Sequence, residues 1–447
     1  MENNIVRRNT INPINIAKAS WKYGSFVFVF LFMFIIYCLM NKHINWGGIM
    51  TILTHTAVVG TIALGMGLII VSGEIDLSVG SIFAFSGGLG ILTYNDIATK
   101  VGNTGLAMFI TFIVMVALSA AIGFINGWMV GKIKMPAFIA TLGTMLIFRS
   151  LCKFILKSIP AAGGGQQQTY QIFEYFNSPF YTLGNNKVLT IPIVGLILII
   201  LTIAVFYFAK HTKFGRKVYA LGSNAKASSL AGINVPMSKV AIFTIAGALV
   251  GVGAFLHTGI YGSMDSSTAG MSYELYAIAS CVIGGIAMTG GRGNIIGILF
   301  GALSFQIIDK IISVANLNPL INDTIKGAIL LVAVVLQVLV IDKGAVDKYL
   351  QRIGLKFNAN EDQVLEGELR KKVNNVKLAY DKKFHKILKN KTITKEEADK
   401  LINSLLDERE AKIVALNNKY NLLIDNAILK TKEVTRKLAI KEVKDNG

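Results

Sequence analysis

The stretch IMTILTHTAVVGTIALGMGLIIV, residues 49–71, decides the class of fold. It runs for 23 residues without Asp, Glu, Lys or Arg, which is enough for one helix to cross the hydrocarbon core of a bilayer. The polar segment SGEIDLSVGS, residues 72–81, follows directly and leads into another apolar run. The pattern predicts an integral membrane protein with a carboxylate-bearing break between two apolar segments.

The same apolar pattern recurs along most of the chain. Windows of about 20 residues give ten candidate spans: 23–40, 49–71, 77–94, 105–131, 135–156, 188–209, 238–262, 273–290, 294–313 and 319–341. The third and eighth are short and rich in Gly, so either could be a broken helix or a re-entrant segment. We predict an all-α, polytopic transmembrane helix bundle of eight to ten spans, with ten preferred.

Composition divides the 447 residues into three parts: a cytoplasmic N-terminal segment 1–22, a transmembrane domain 23–341 and a charged tail 342–447. In the tail, apolar residues recur every three or four positions from Ile413, and Thr394 with Glu397 fits a capping box. The tail is therefore predicted to form a cytoplasmic helical hairpin. A solvated helix pair and a partner-binding or regulatory role are both open.

Basic residues predict the orientation. If the N-terminus is cytoplasmic, every strongly basic loop falls on the cytoplasmic side, as the positive-inside rule requires. These residues are Lys132, Lys134, Lys210, Lys213, Arg216, Lys217, Arg292 and Lys343. Residues 157–187 then lie outside and both termini inside. About +11 of the net charge of +19 belongs to the first 342 residues, and membrane topology is the better explanation of that excess. We expect lipid rather than nucleic acid as the partner.

No motif of a catalytic site occurs in the sequence. It lacks the Gly-x-x-x-x-Gly-Lys-Ser/Thr loop that cradles nucleotide phosphates, and it lacks His-Glu-x-x-His and Gly-x-Ser-x-Gly. The three cysteines have no metal-ligand spacing. We expect a chain that is not an enzyme, with no catalytic residue, metal or bound cofactor, so that any ATP use belongs to another chain.

Two carboxylates, Glu74 and Asp76, lie in the break after the first long apolar run. Intramembrane carboxylates often line a polar pathway, whereas an Asp before a helix can cap it, here together with Ser78. Both interpretations are open. Glu274 precedes the glycines at 290–293, which could form either the hinge of a gate or a tight turn. His55 and His257 lie in apolar segments and could either contact substrate or pack in the core.

Two further patterns concern contacts. The segment YALGSNAKASSLAGI, residues 219–233, is too polar to span and predicts a short surface helix, capped by Ser223 or Asn224 and ended by Gly232. It could dock a motor subunit or serve as a connector. Gly-xxx-Gly spacings predict close helix contacts at Gly123, Gly127 and Gly131, at Gly247 and Gly251, and at Gly297 and Gly301.

Four of these stretches, in this order, resemble the permease subunits of bacterial ATP-binding-cassette importers for ribose/galactose-class sugars, within the wider family that includes branched-chain amino-acid permeases. They are GEIDLSVG at 73–80, MPAFIATL at 135–142, and the segments 219–233 and 273–301. The resemblance covers about residues 20–341 and is greatest to the galactose/methyl-galactoside branch.

The resemblance implies a homodimer in the bacterial cytoplasmic (inner) membrane, an ATPase subunit that uses ATP and Mg on the cytoplasmic side, and an extracytoplasmic sugar-binding protein. It places ATPase coupling at Gly222, Asn224, Ala227 and Gly232. The carboxylate of Glu74 and the tail after about residue 343 depart from the family pattern.

The leading hypothesis is a permease for a monosaccharide that works by alternating access. Candidate pathway or gate residues are Asp76, Glu74, Asn126, Thr141 and Glu274. Three alternatives stay open: an ion-coupled secondary transporter that binds its ion at Glu74 and Asp76, a permease of the same family for a branched-chain amino acid or a nucleoside, and a sensor that works through its tail.

Overall fold

The computed structural model describes residues 13–41, 45–157, 169–315, 324–329, 331, 332, 335, 361–388 and 394–445. The chain forms two compact units, Met1–Gln337 and Val338–Gly447.

Helices make up nearly all of the first unit. In chain order they are α1 Pro13–Met40, α2 Trp46–Val71, α3 Val79–Val101, α4 Thr104–Trp128, α5 Ala137–Lys157, α6 Pro179–Asn185, α7 Ile193–His211, α8 Lys213–Ser223, α9 Ala225–Leu230, α10 Val235–Tyr261, α11 Tyr273–Ile283 and α12 Ile295–Val314. A π-helical turn, Met129–Ile133, extends α4. Within the described residues, six helices are long and apolar enough to cross a membrane: α2, α4 with its extension, α5, α7, α10 and α12. The predicted all-α membrane bundle is confirmed.

Several boundaries differ from the predicted spans. Helix α1 begins at Pro13, inside the segment that was assigned to a cytoplasmic N-terminus, and residues 1–12 lie outside the described part. Helix α11 has only 11 residues, about 17 Å of helix, so the eighth candidate is a half-span rather than a full one. Of the tenth candidate, 319–341, only residues 324–329, 331, 332 and 335 are described, and all are helical.

Two small antiparallel sheets lie between the helices. Strand β1 Thr169–Gln171 pairs with β4 Ser263–Asp265, and β2 Lys187–Val188 pairs with β3 Ile191–Pro192. The β2–β3 sheet lies at the start of α2, because the Trp46 indole donates to the Thr190 hydroxyl at 3.0 Å. Strand β4 lies toward the same end, because it follows the end of α10, where the Tyr261 hydroxyl lies 2.9 Å from His55 of α2. We call this the Trp46 end.

Glycine lets the longest helices touch through their backbones. A methyl group on Gly127 of α4 would lie 2.7 Å from Cα of Val240 in α10, and one on Gly123 would collide with the Phe243 carbonyl. Gly301 of α12 meets the Ser280 carbonyl of α11 in the same way. Close packing replaces the hydrophobic driving force in lipid, so the Gly-xxx-Gly spacings mark real interfaces.

The second unit is a helical hairpin, α13 Glu361–Leu388 and α14 Lys395–Asp445. Lys412 Nζ donates to the hydroxyl of the buried Tyr380 at 2.8 Å. At the start of α14, the Glu397 carboxylate accepts hydrogen bonds from the hydroxyl and N–H of Thr394, at 2.7 and 3.1 Å, which hold the pKa of Glu397 below its usual range. The predicted hairpin is present, and so is the half of the predicted capping box in which the Glu397 carboxylate accepts from the Thr394 N–H.

Replacing Gly127 with Ala should weaken the α4–α10 interface, because the new methyl group has no space beside the α10 backbone. We expect a loss of about 1–3 kcal/mol in stability, measured as a lower melting temperature of the purified protein in nanodiscs. Gly143→Ala is the matched control, since a methyl group there meets nothing within 4 Å. Equal melting temperatures for the two variants would contradict the proposed packing.

Candidate functional site

The chain between α2 and α3 is held in a fixed shape by Asp76. Its Oδ1 accepts hydrogen bonds from the N–H and the hydroxyl of Ser78, at 2.8 and 2.5 Å, and the residue is 2% exposed. Ser78 is the N-cap residue of α3, yet its side chain makes no capping hydrogen bond. Asp76 therefore orients the N-cap residue instead of capping the helix itself, which changes the capping interpretation.

Three of the predicted pathway residues meet at this break. Asn126 of α4 donates from Nδ2 to Ser78 Oγ at 2.8 Å, and the hydroxyl of Thr141 in α5 accepts from the Leu77 N–H at 3.1 Å. Asn126 and Thr141 are completely buried, and Asn126 Oδ1 has no hydrogen-bond partner in the described part of the chain. Asp76, Ser78, Asn126 and Thr141 form a polar cluster, the break cluster, that is closed to solvent.

Glu74 lies in the same break but has a separate partner. Its carboxylate forms an ion pair with Lys239 near the start of α10, and each side chain is about one-fifth exposed. Asp76 is engaged by Ser78 instead. Among the described residues, no group of three or more His, Cys, Asp or Glu side chains is placed to hold a metal ion. These contacts do not favour an ion-binding site at Glu74 and Asp76.

Glu274 lies where two helices begin inside the bundle. Gly270, with φ +67°, packs against Gly80 in the first turn of α3, and α11 begins three residues later at Tyr273. A methyl group on Gly80 would lie 2.9 Å from the Glu274 carboxylate. The starts of α3 and α11 thus meet, and Glu274 belongs to that meeting point rather than to the break cluster.

The four residues predicted to couple to an ATPase lie in two places: Gly222 is in α8, and Asn224, Ala227 and Gly232 are in or beside α9. Asn224 caps α9 by accepting from the Ala227 N–H at 2.9 Å, and Gly232, with φ +82°, follows the helix. Both residues and Ala227 are exposed. The short helix predicted within 219–233 is α9, and residues 219–223 form the end of α8, because Asn224 takes an extended conformation between the two helices.

Gly222 connects this surface to the break. A methyl group on Gly222 would collide with the Val71 carbonyl at the end of α2. The N–H of Gly291 donates to the same carbonyl at 2.8 Å, and the Tyr219 hydroxyl donates to the Gly293 carbonyl at 3.1 Å. The glycines at 290–293 therefore form a tight turn at this end of the bundle, which we call the Gly222 end.

Sequence reasoning missed several charged residues within the apolar segments. Arg149 of α5 donates from Nη1 to the Ala269 carbonyl at 2.7 Å, and the buried Lys326 lies 2.6 Å from Asp309 of α12 and over the Tyr276 ring. Charged residues inside apolar windows are costly in a membrane and mark paired or functional positions, so the sequence alone could have identified these residues. His55, by contrast, agrees with the packing interpretation, since its Nδ1 lies 2.9 Å from the Tyr261 hydroxyl.

Residues 48–334 match the family model described as "Branched-chain amino acid transport system / permease component". The chain belongs to this permease family. It is 33% identical over 316 residues to the ribose import permease protein of Bacillus subtilis (strain 168), covering 70% of this chain and 92% of that protein.

Two other relatives are named for other sugars. The galactose/methyl galactoside import permease protein of Haemophilus influenzae is 32% identical, over 63% of this chain and 84% of its own length. The xylose transport system permease protein of Escherichia coli (strain K12) is 30% identical, over 66% and 85%. No solved structure gives a significant match. The resemblance to sugar-importer permeases is confirmed, while identities this similar do not single out the galactose branch.

Asp76→Ala should destabilise the break, because the buried N–H and hydroxyl of Ser78 lose their acceptor. We expect a loss of about 1–3 kcal/mol, seen as faster hydrogen exchange of the amides at the start of α3. Ser81→Ala is the control, since the buried Ser81 hydroxyl has no partner among the described residues. Similar exchange in both variants would refute the bracing role of Asp76.

Charge exchange tests the Glu74–Lys239 pair. Glu74→Lys or Lys239→Glu alone places two like charges together at a half-buried position and should reduce the yield of folded protein. The double variant restores opposite charges and should recover it, as the non-additivity of contacting residues predicts. Folded yield can be measured by size-exclusion chromatography in detergent, and additive losses would show that the pair does not form.

Proposed function

We propose that this chain is the membrane-spanning permease subunit of an ATP-driven importer for a monosaccharide of the ribose, galactose or xylose type. The observation that carries the proposal is the contact of Gly222 with the end of α2. It joins the surface helices α8 and α9 directly to the break that follows α2. The named activities of the three sugar-permease relatives support the choice of substrate class.

The Gly222 end faces the cytoplasm in this proposal. The π-helical turn with Lys132 packs beside the start of α10, and α8 carries Arg216 and Lys217 close to the turn with Arg292. The basic loops thus gather at one end, as the positive-inside rule requires of the cytoplasmic side. Both termini then lie inside, in the bacterial cytoplasmic membrane.

The ATPase subunit docks on α9 and the residues around it. Asn224, Ala227 and Gly232 are exposed there, and Leu230 is 86% exposed. A large apolar side chain with so little contact at the cytoplasmic side suits a partner's pocket. ATP and Mg bind to that subunit, which this chain cannot replace since it has no phosphate-binding loop. The sugar-binding protein docks at the Trp46 end, and a second copy completes a homodimer.

Transport follows from the contacts at the break. The break cluster is buried and closed in the described conformation. When the ATPase changes shape and moves α8 and α9, Gly222 transmits the displacement to Val71 and to the turn at Gly291, since no side chain intervenes. The segment with Asp76 then shifts relative to Asn126 and Thr141 and opens one side of the path while the other closes.

Another solute is the second candidate. The description of the family model names branched-chain amino acids, so a branched-chain amino acid or a nucleoside is an alternative cargo within the same mechanism. Uptake assays with labelled sugars, leucine and nucleosides separate these possibilities. Ion-driven uptake by this chain alone, without ATPase or binding protein, would sink the proposal of an importer subunit.

Leu230→Ser tests the docking surface. In proteoliposomes that contain the ATPase and supply the binding protein, we expect ATP-dependent sugar uptake to fall roughly tenfold or more, since truncating a hot-spot residue of an interface costs about 2 kcal/mol or more. Leu422→Ser is the matched control, because that leucine is also exposed, at 68%, but lies in the hairpin. Normal uptake with Leu230→Ser would place docking elsewhere.

A further inference from the structure

Lys239 lies on a tightly packed pair of helices. It is in the second turn of α10, between Pro236 and Val240. A methyl group on Gly131 would collide with the Pro236 carbonyl, and one on Gly127 would lie 2.7 Å from Cα of Val240. Lys239 cannot move away from α4 unless these backbone contacts separate. Its ammonium group is therefore carried by a fixed part of the bundle.

Glu74 belongs to the segment that moves in the proposed mechanism. A methyl group on Gly73, directly before it, would lie 3.7 Å from Cα of Gly222, and one on Gly290 would lie 3.0 Å from Cα of Gly73. The Glu74 N–H donates to the Ile69 carbonyl in the last turn of α2 at 3.1 Å. A push by Gly222 on the end of α2 thus reaches Glu74 as well.

The contacts at the break differ in the force that they transmit. Gly222 approaches the Val71 carbonyl through backbone atoms, and such a contact resists compression but attracts weakly once the atoms separate. The hydrogen bond from Asn126 to Ser78 is lost beyond about 3.5 Å. The attraction between unlike charges falls off only with the first power of distance. An ion pair can therefore draw the break back after a displacement that separates the other contacts.

Glu74 and Lys239 form such an ion pair. Each side chain is about one-fifth exposed, so water screens this pair less than it screens Lys100 and Asp96 at the end of α3, which are 72% and 59% exposed. Removing one partner would leave the other charge half-buried and uncompensated. The ion pair joins the segment that moves to the helices that do not.

We propose that the Glu74–Lys239 ion pair is a latch, which holds the break closed in the resting importer and returns it to that conformation after each cycle of the ATPase. The latch rests on the proposed function and adds the element that opposes Gly222. Gly222 pushes the break away from its resting position, and the ion pair pulls it back. Because the carboxylate of Glu74 departs from the family pattern, we expect the latch in this chain and not throughout the family.

Basal ATP hydrolysis tests the latch. In proteoliposomes with the ATPase but without binding protein or sugar, E74Q should raise hydrolysis, because the break no longer opposes the movement of α8 and α9. We expect roughly a fivefold rise, the size of a typical coupling between contacting charges. K239M should do the same, and the double variant E74K/K239E should return hydrolysis to the unmodified rate.

The matched control is D96N, which removes a charge from the exposed pair with Lys100 and should leave hydrolysis unchanged. A merely structural role for Glu74 and Lys239 would lower hydrolysis together with the folded yield. Unchanged or slower hydrolysis in E74Q, or no recovery in the double variant, would overturn the latch.

Hydrogen exchange of the chain without the ATPase separates the latch from the proposed function. The amides of Leu77 and Ser78 are hydrogen-bonded at the break, and E74Q should speed their exchange roughly fivefold. The double variant should restore protection, and equal exchange in E74Q and D96N would refute the latch. If the exchange follows this pattern but the unmodified assembly moves no sugar, the proposed function fails while the closing role of the ion pair stands.

Discussion

A helix can break inside a membrane only where protein satisfies the backbone groups that the break releases. Here the N–H groups of Gly73 and Glu74 turn back to carbonyls of the last turn of α2, at 2.9 and 3.1 Å. The N–H of Leu77 reaches a hydroxyl from α5, and that of Ser78 reaches Asp76. The Thr141 hydroxyl and the Asp76 carboxylate thus take the place of water as acceptors for these backbone groups, and any role in transport is additional.

The same constraint explains why glycine dominates the contacts around the break. Between α4 and α10 it permits close packing of two long helices, whereas at Gly222 it lets a surface element press on the last carbonyl of α2. The α4–α10 contact extends over several helical turns, whereas the contact of Gly222 with the Val71 carbonyl is a single point. In the proposed mechanism, the α4–α10 interface stays rigid and the displacement is concentrated at Gly222.

The sequence predicted those features that depend on residues close together in the chain. Apolar runs located the helices, and the spacing of Gly123 and Gly127 predicted a close helix contact, which the structure forms with α10. The N-cap role of Asn224 followed from its neighbours. Long-range partners were inaccessible: Arg149 meets Ala269, 120 residues away, and Lys239 meets Glu74 across 165 residues. The start of α1 was missed because lysines near it interrupt the apolar window without breaking the helix.

Two helices begin in the middle of this bundle, α3 and α11, and their first turns face each other at Gly80 and Gly270. The aligned peptide dipoles of each helix place about half a positive charge at its N-terminus, so two such charges converge within the membrane. Asp76 lies three residues before the start of α3, and the Glu274 carboxylate lies beside Gly80. The positive ends of the two helices thus face carboxylates that belong to the chain itself, and this arrangement is favourable whether or not a solute is present.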